Sequence, residues 1–148
     1  MNQPPKLNFP SIRLRGRRVG EQTQIWDEER RMWLVLTPEE WVRQHLKGHL
    51  ITACGVIPTR MVAEYPVSLN GQAQRADLVV VDDAGRPLLL AECKAPEVTI
   101  DRSTLDQAVR YNSVLGARYL ILTNGLRHYC YERLSDVDYQ PLADFPKL

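Results

Sequence analysis

Cysteine is scarce in this chain, and the few present form no pattern. Cys54, Cys93 and Cys130 are scattered and show no C-x-x-C spacing. Neither a disulfide frame nor a thiolate zinc site is expected, and reduced thiols fit a cytoplasmic protein. Long apolar runs are missing too: no stretch reaches the roughly 18–20 apolar residues that a membrane span needs. The opening MNQPPKLNFP lacks the apolar core and small-residue cleavage site of a secretion signal, so export is not expected. There is no large charge excess either. A formal net charge of +1 gives by itself no sign of a nucleic-acid partner. Internal repeats, low-complexity tracts and long linkers are likewise absent.

What is present suits one soluble domain: 148 residues, 44% hydrophobic and 25% charged, enough to bury a real core. The charge is unevenly spread. The first twenty residues hold Lys6, Arg13, Arg15, Arg17 and Arg18 and no acid, which leaves the rest of the chain acidic by four. Residues 1–22, rich in proline, glycine and arginine, are expected to form a basic, flexible arm, although Ile12, Leu14 and Val19 can edge a sheet. Such an arm either tracks phosphates or is a solvated tail. Residues 23–148 form the expected domain.

Within that domain, residues 23–26 and 31–36 read as short strands. Thr37-Pro38-Glu39-Glu40 opens a helix running to about Ala53, with Thr37 as N-cap, Pro38 in the first position and Glu40 completing a capping box. Residues 61–69 read as a strand ending in an Asn70-Gly71 turn. The strongest strand signals are RADLVVVD at 75–82 and LLLAECK at 88–94, joined by a tight turn in which Gly85 takes a positive φ. A helix over 102–116 and strands over 118–123 and 127–132 complete the series. Strand, helix, three strands, helix, two strands predicts an α/β sandwich on a mixed sheet.

A hairpin turn centred between Ala84 and Gly85 sets Asp77 opposite Glu92, Arg75 opposite Lys94 and Val79 opposite Leu90. Directly opposed side chains share a sheet face with Cβ atoms about 4.5–5.5 Å apart. The other face takes Leu78, Val80, Leu89, Ala91 and Cys93, so apolar residues line both sides and both sides are covered. Like charges facing each other across a strand pair are destabilising, and a divalent cation gives a fold reason to keep them. Two carboxylates hold Mg²⁺ while leaving positions for water and a phosphate oxygen, and Lys94 can stabilise charge on that phosphate. The plainer reading is a rim pair, or acids that serve as partners of Arg75 and Lys94.

The run RADLVVVDDAGRPLLLAECKAP, preceded by TPEEWVRQHL and followed by DQAVRYN and LILTNG, resembles the N-terminal nuclease domain of type I restriction enzyme R subunits. That domain belongs to the PD-(D/E)xK restriction-endonuclease-like group. The resemblance spans about residues 31–131. It implies a restriction-endonuclease-like α/β sandwich with a central mixed sheet flanked by helices. It also implies a Mg²⁺- or Mn²⁺-dependent deoxyribonuclease, with Asp77 and Glu92 as metal ligands and Lys94 as a catalytic residue. Ala76 stands where the group's name has proline. Gln107 and Tyr111 match a Gln-x-x-x-Tyr element of part of the group. At that spacing they share a helix face and can reach toward the site or DNA; without the resemblance, Tyr111 reads as a core aromatic. Glu39 or Glu40 corresponds to a first-helix glutamate near the metal in such nucleases, although Glu40 has its competing role as a cap.

No GxxxxGK[ST] sequence occurs, so no ATP-driven translocation is expected of this chain. A separate motor or specificity subunit, a homodimer and DNA are the expected partners, with no membrane. His45 and His49 lie four apart on the first helix without a third metal ligand and read as surface or groove histidines; His128 is expected in an edge strand. Two other functions stay open: a catalytically weak nucleic-acid-binding or partner-docking module of the same fold, and an RNA nuclease.

Overall fold

The computed structural model describes residues 4–148. Two helices pack on a six-stranded mixed sheet, beside which lies a small three-stranded sheet. The small sheet is an antiparallel meander of β1 (Gly16–Val19), β2 (Gln22–Asp27) and β3 (Met32–Val35). Helix α1 (Pro38–Cys54) follows, then β4 (Met61–Leu69), β5 (Gln72–Val81), β6 (Pro87–Cys93), helix α2 (Arg102–Leu115), β7 (Tyr119–Thr123), β8 (His128–Arg133) and β9 (Tyr139–Leu142). The six strands β4 to β9 lie in chain order, and only β6 and β7, joined through α2, run parallel. A parallel pair needs such a crossover because a tight turn can return the chain only antiparallel. Among the described residues no helix is long and apolar enough to cross a membrane.

The two-residue alternation of β5 and β6 divides the core between the sheet faces. Leu78, Val80, Leu89, Ala91 and Cys93 pack with Val42, Leu46 and Leu50 of α1. Val79 and Leu90 pack with Ala108 and Tyr111 of α2 and with Leu120 and Leu122 of β7. Local chemistry fixes the element ends. Thr37 Oγ1 accepts from Glu40 N, and Asp101 Oδ1 accepts from the amides of Ser103 and Thr104 at the start of α2. These are the groups a helix N-terminus leaves without an internal partner. The expected capping box is only half formed: Thr37 N bonds to Val35 O, while the Glu40 carboxylate turns to arginines. Asn70 and Gly71 both take positive φ, 52° and 78°, in the β4–β5 turn, as a two-residue hairpin of this twist requires.

The amino-terminal segment departs most from expectation. Residues 1–3 lie outside the described residues, but from Pro4 onward the chain is seated on the domain. Leu7 is buried, Asn8 N bonds to Gly125 O at 2.7 Å and Trp41 Nε1 donates to Pro5 O at 2.8 Å. A Cβ on Gly125 would come within 2.7 Å of Leu7, and one on Gly48 within 2.7 Å of Ile12, so glycine is what lets the segment approach. Phe9 stacks 4.2 Å from His128 and 5.6 Å from His49, with Phe145 against both histidines. Proline- and arginine-rich composition suggested a loose arm, but Leu7, Phe9 and Ile12 pack on the domain, while Val19 stays exposed.

The strand of His128 is likewise no edge strand, because β9, which the sequence did not reveal, pairs with Cys130–Arg133 on the far side of β8. His128 Nε2 lies 2.8 Å from Asn8 O and its Nδ1 2.7 Å from Thr123 Oγ1. The carbonyl can only accept, so Nε2 carries the proton and ties the segment down. His45 is buried, with Nδ1 2.8 Å from Trp41 O. Burial lowers the pKa of all three histidines.

Candidate active site

The β5–β6 hairpin has the register its turn predicts. Leu78 pairs with Ala91, Val79 with Leu90 and Val80 with Leu89, and a shift at Val81 absorbs the turn. There Asp82 Oδ1 accepts from the amides of Ala84 and Arg86, and Gly85 takes φ 79°. One step beyond Leu78–Ala91 the strand ends bring Asp77 to Glu92. Regular pairing stops there because the Asp77 side chain replaces it: Oδ2 accepts from Cys93 N at 2.7 Å. That bond holds Asp77 against the end of β6.

Glu92 is buried, with 4% of its surface exposed, and its Oε1 has no hydrogen-bond partner among the described residues. Such an orphan costs about 1–3 kcal/mol, and more where the group is charged. Burial, then the carboxyl of Asp77 beside it, pushes the Glu92 pKa well above the usual carboxylate range. Lys94 opposes the shift through its positive charge. Lys94 is half-buried and makes no ion pair among the described residues; its backbone amide continues the sheet by bonding to Thr123 O at 2.9 Å. Two acids and one lysine without an ion pair among the described residues therefore meet where the regular pairing of β5 with β6 stops.

Behind them lies a saturated polar network that the sequence did not disclose. Arg43 of α1 donates to Asp77 O at 3.1 Å and Glu64 Oε1 at 2.7 Å, and binds both oxygens of Glu40 at 2.6 and 3.1 Å. Gln44 joins Glu40 to Asp27 at 3.0 and 3.1 Å, and buried Lys47 holds both Asp27 oxygens at 3.2 and 3.1 Å. Burial acts to raise the Asp27 and Glu40 pKa values. The Arg30 backbone amide and Lys47 reverse this for Asp27, and Arg43 for Glu40, leaving both carboxyls below their ordinary values. Glu64 lies across β4 from Asp77, between the Ala63–Leu78 and Tyr65–Ala76 pairs, with φ 56°. A non-glycine residue held there costs about 1–3 kcal/mol and calls for support from its surroundings, which Arg43 supplies. The signals in the sequence were faint: a charged residue three after Glu40, and an acid within the strand MVAEYPVSL.

The remaining candidates divide. Glu40, proposed as a metal ligand, is occupied by Arg43, Gln44 and Arg30 and is linked to Asp77 only through Arg43. Glu39 is exposed on the first turn of α1. Among the described residues no three His, Cys, Asp or Glu side chains are grouped to hold a metal ion, so the acids brought together are Asp77 and Glu92. Gln107 and Tyr111 do share one helix face, where Gln107 Nε2 donates to Tyr111 Oη at 3.0 Å. Tyr111 is buried with Val79 and Leu90, on the sheet face covered by α2.

Two helices on a six-stranded mixed sheet, beside a small three-stranded sheet, make a mixed α/β fold, the class the order of elements predicted. The chain belongs to the family of the type I restriction enzyme R protein N-terminus, which it matches over residues 38–146. No curated protein matches the chain.

Proposed function

We propose that this protein is a divalent-metal-dependent phosphodiesterase acting on DNA, a PD-(D/E)xK deoxyribonuclease of restriction-endonuclease-like fold working in restriction or defence. The observation that carries this reading is the buried, unpartnered Glu92 Oε1 beside Asp77. A fold that keeps two acids together with no ion pair to either among the described residues, while it saturates Asp27 and Glu40 nearby, leaves that place for a cation. Mg²⁺ fits, because it is commonly bound through one or two carboxylates and keeps several waters for exchange with phosphate oxygens.

Held by Asp77 and Glu92, Mg²⁺ or Mn²⁺ would polarise the phosphodiester and lower the pKa of the attacking water. Asp77, fixed by Cys93 N, orients the pair. Lys94, free of ion pairs among the described residues, would offer its ammonium to the attacking water or to the charge growing on the phosphate. Arg43 holds the Asp77 backbone from behind. Gln107 and Tyr111 offer a preformed polar pair on the α2 side for the DNA backbone.

Cleavage of plasmid, linear duplex and single-stranded DNA, compared in Mg²⁺, Mn²⁺ and EDTA, tests the proposal. Cutting confined to the metal-containing reactions is expected. Equal cutting in EDTA, or none with either metal on any substrate, would overturn it.

A further inference from the structure

We propose that the outer face of the small sheet is a docking platform for single-stranded DNA. The face is built by alternation. Ile25 and Asp27 of β2 point inward and are buried, so Gln24 and Trp26 point outward with their neighbours on β1 and β3. Trp26 and Trp33 are register partners, with ring centroids 5.5 Å apart and planes at 67°. The Arg17 guanidinium lies 4.2 Å from the centre of the Trp33 ring. That of Arg15 spans both rings at 5.6 and 5.4 Å, and that of Arg31 lies 5.8 Å from Trp26. All three arginines are exposed.

The charge on this face is largely uncompensated. Arg17 bonds to the neutral Gln24 at 2.8 Å, and Arg15 makes no ion pair among the described residues. Glu28 takes Arg31 at 3.4 Å and Trp26 Nε1 at 2.9 Å. Interleaved indole and guanidinium planes with excess positive charge suit a polyanion that carries planar rings. An acidic peptide would use the charges and leave the planes idle. A duplex presents phosphates and keeps its bases stacked inside. A single strand uses both, its bases stacking on the aromatic and arginine planes while its phosphates meet the cations.

The platform lies outside residues 38–146, which match the family. A chain of hydrogen bonds joins it to the candidate site. Asp27, on its inner side, bonds to Gln44, Gln44 to Glu40, Glu40 to Arg43 and Arg43 to the Asp77 carbonyl. The choice of DNA rests on the deoxyribonuclease reading of that site.

The test uses the full chain in EDTA, so that binding and cleavage fail separately. An oligothymidylate of about 15 nucleotides, within the usual site size for single-strand platforms, is titrated while fluorescence anisotropy and tryptophan emission are followed. Saturable binding with tryptophan quenching is expected, tighter than for a matched duplex or oligouridylate. Trp33→Ala should weaken it about tenfold, whereas Trp33→Phe, which keeps a stacking ring, should stay within about threefold of wild type. Arg15→Gln with Arg17→Gln should weaken binding and make its salt dependence shallower by about one to two charges. Should Trp33→Ala fail to fold, as judged by circular dichroism, the Trp33→Phe and double-arginine proteins decide. No binding, folded variants that bind like wild type, or tighter binding of duplex or oligouridylate would each overturn the proposal.

Discussion

Two acid–lysine sites lie on either side of Arg43, and one is closed while the other is open. At the closed one, Asp27 is wholly buried. Lys47, Gln44, Arg30 Nε and the Arg30 amide occupy its oxygens, and its pKa is driven far down. At the open one, Glu92 is nearly as buried but, among the described residues, has an oxygen with no partner, a pKa driven up, and a lysine that makes no ion pair. Burial alone does not make a carboxylate structural or functional. What matters is whether the protein itself supplies the compensating charge: where it does, the acid holds the fold together, and where it does not, the acid takes up a proton or is open to a cation from outside.

The largest effect should come from breaking the closed site. Asp27→Ala leaves Lys47 buried without its main partner and should cost about 3–5 kcal/mol, the scale for stranding one member of a buried ion pair. Urea unfolding measures it. A loss below about 1 kcal/mol would mean that Asp27 is no more closed than Glu92.

Lys94→Ala should show the reverse pattern. Cleavage should fall by about a hundredfold or more, the scale for removing one preorganised electrostatic group, with little change in unfolding midpoint because Lys94 has no ion pair to lose. Kinetics and thermal melts on the same preparation check both halves. Activity near wild type would assign Lys94 no role.

The two acids should respond to pH in opposite directions. The Asp27 pKa is lowered in the folded protein, so its stabilisation is fully present above its unfolded value of about 3.9 and is lost as pH falls toward the folded value. The Glu92 pKa is raised, so its contribution is present below about pH 4.3 and is lost as pH rises through the folded value. In metal-free buffer, Glu92→Gln should match wild type near pH 4. It should become more stable by about 1–2 kcal/mol as pH rises, each displaced pKa unit being worth about 1.4 kcal/mol. Urea melts across that range decide, and a difference that shrinks with rising pH would contradict the open-site reading.

The smallest effect belongs to Asp77→Asn, which keeps an oxygen for Cys93 N while removing the charge beside Glu92. Without metal it should gain a few tenths to about 1 kcal/mol, the scale of a like-charged cross-strand pair. Millimolar Mg²⁺ or Mn²⁺ should stabilise wild type by mass action and leave the variant nearly unmoved. Thermal melts across a metal titration read this directly. A variant that is weaker without metal, beside a wild type indifferent to Mn²⁺, would remove Asp77 from the site.

Short-range rules made the hairpin legible. Gly85 in its turn helps fix the register of β5 and β6, and a one-residue slip would part Asp77 from Glu92 and turn each side chain of the slipped strand to the opposite face. The same rules located both helices and most of the strands, since caps and turns act within a few residues of themselves. They also set Gln107 and Tyr111 on one face of α2. What the sequence left undecided rests on partners far apart in the chain. Arg43 reaches the Asp77 carbonyl across 34 positions and His128 reaches Asn8 across 120. β9 is visible only as a partner of β8, and the Arg–Trp face exists only because three short strands pair. Turn chemistry and alternation thus placed two acids side by side. Only the tertiary structure decided which buried acid would be neutralised, because desolvation and the reach of a distant arginine or lysine are properties of the packed chain.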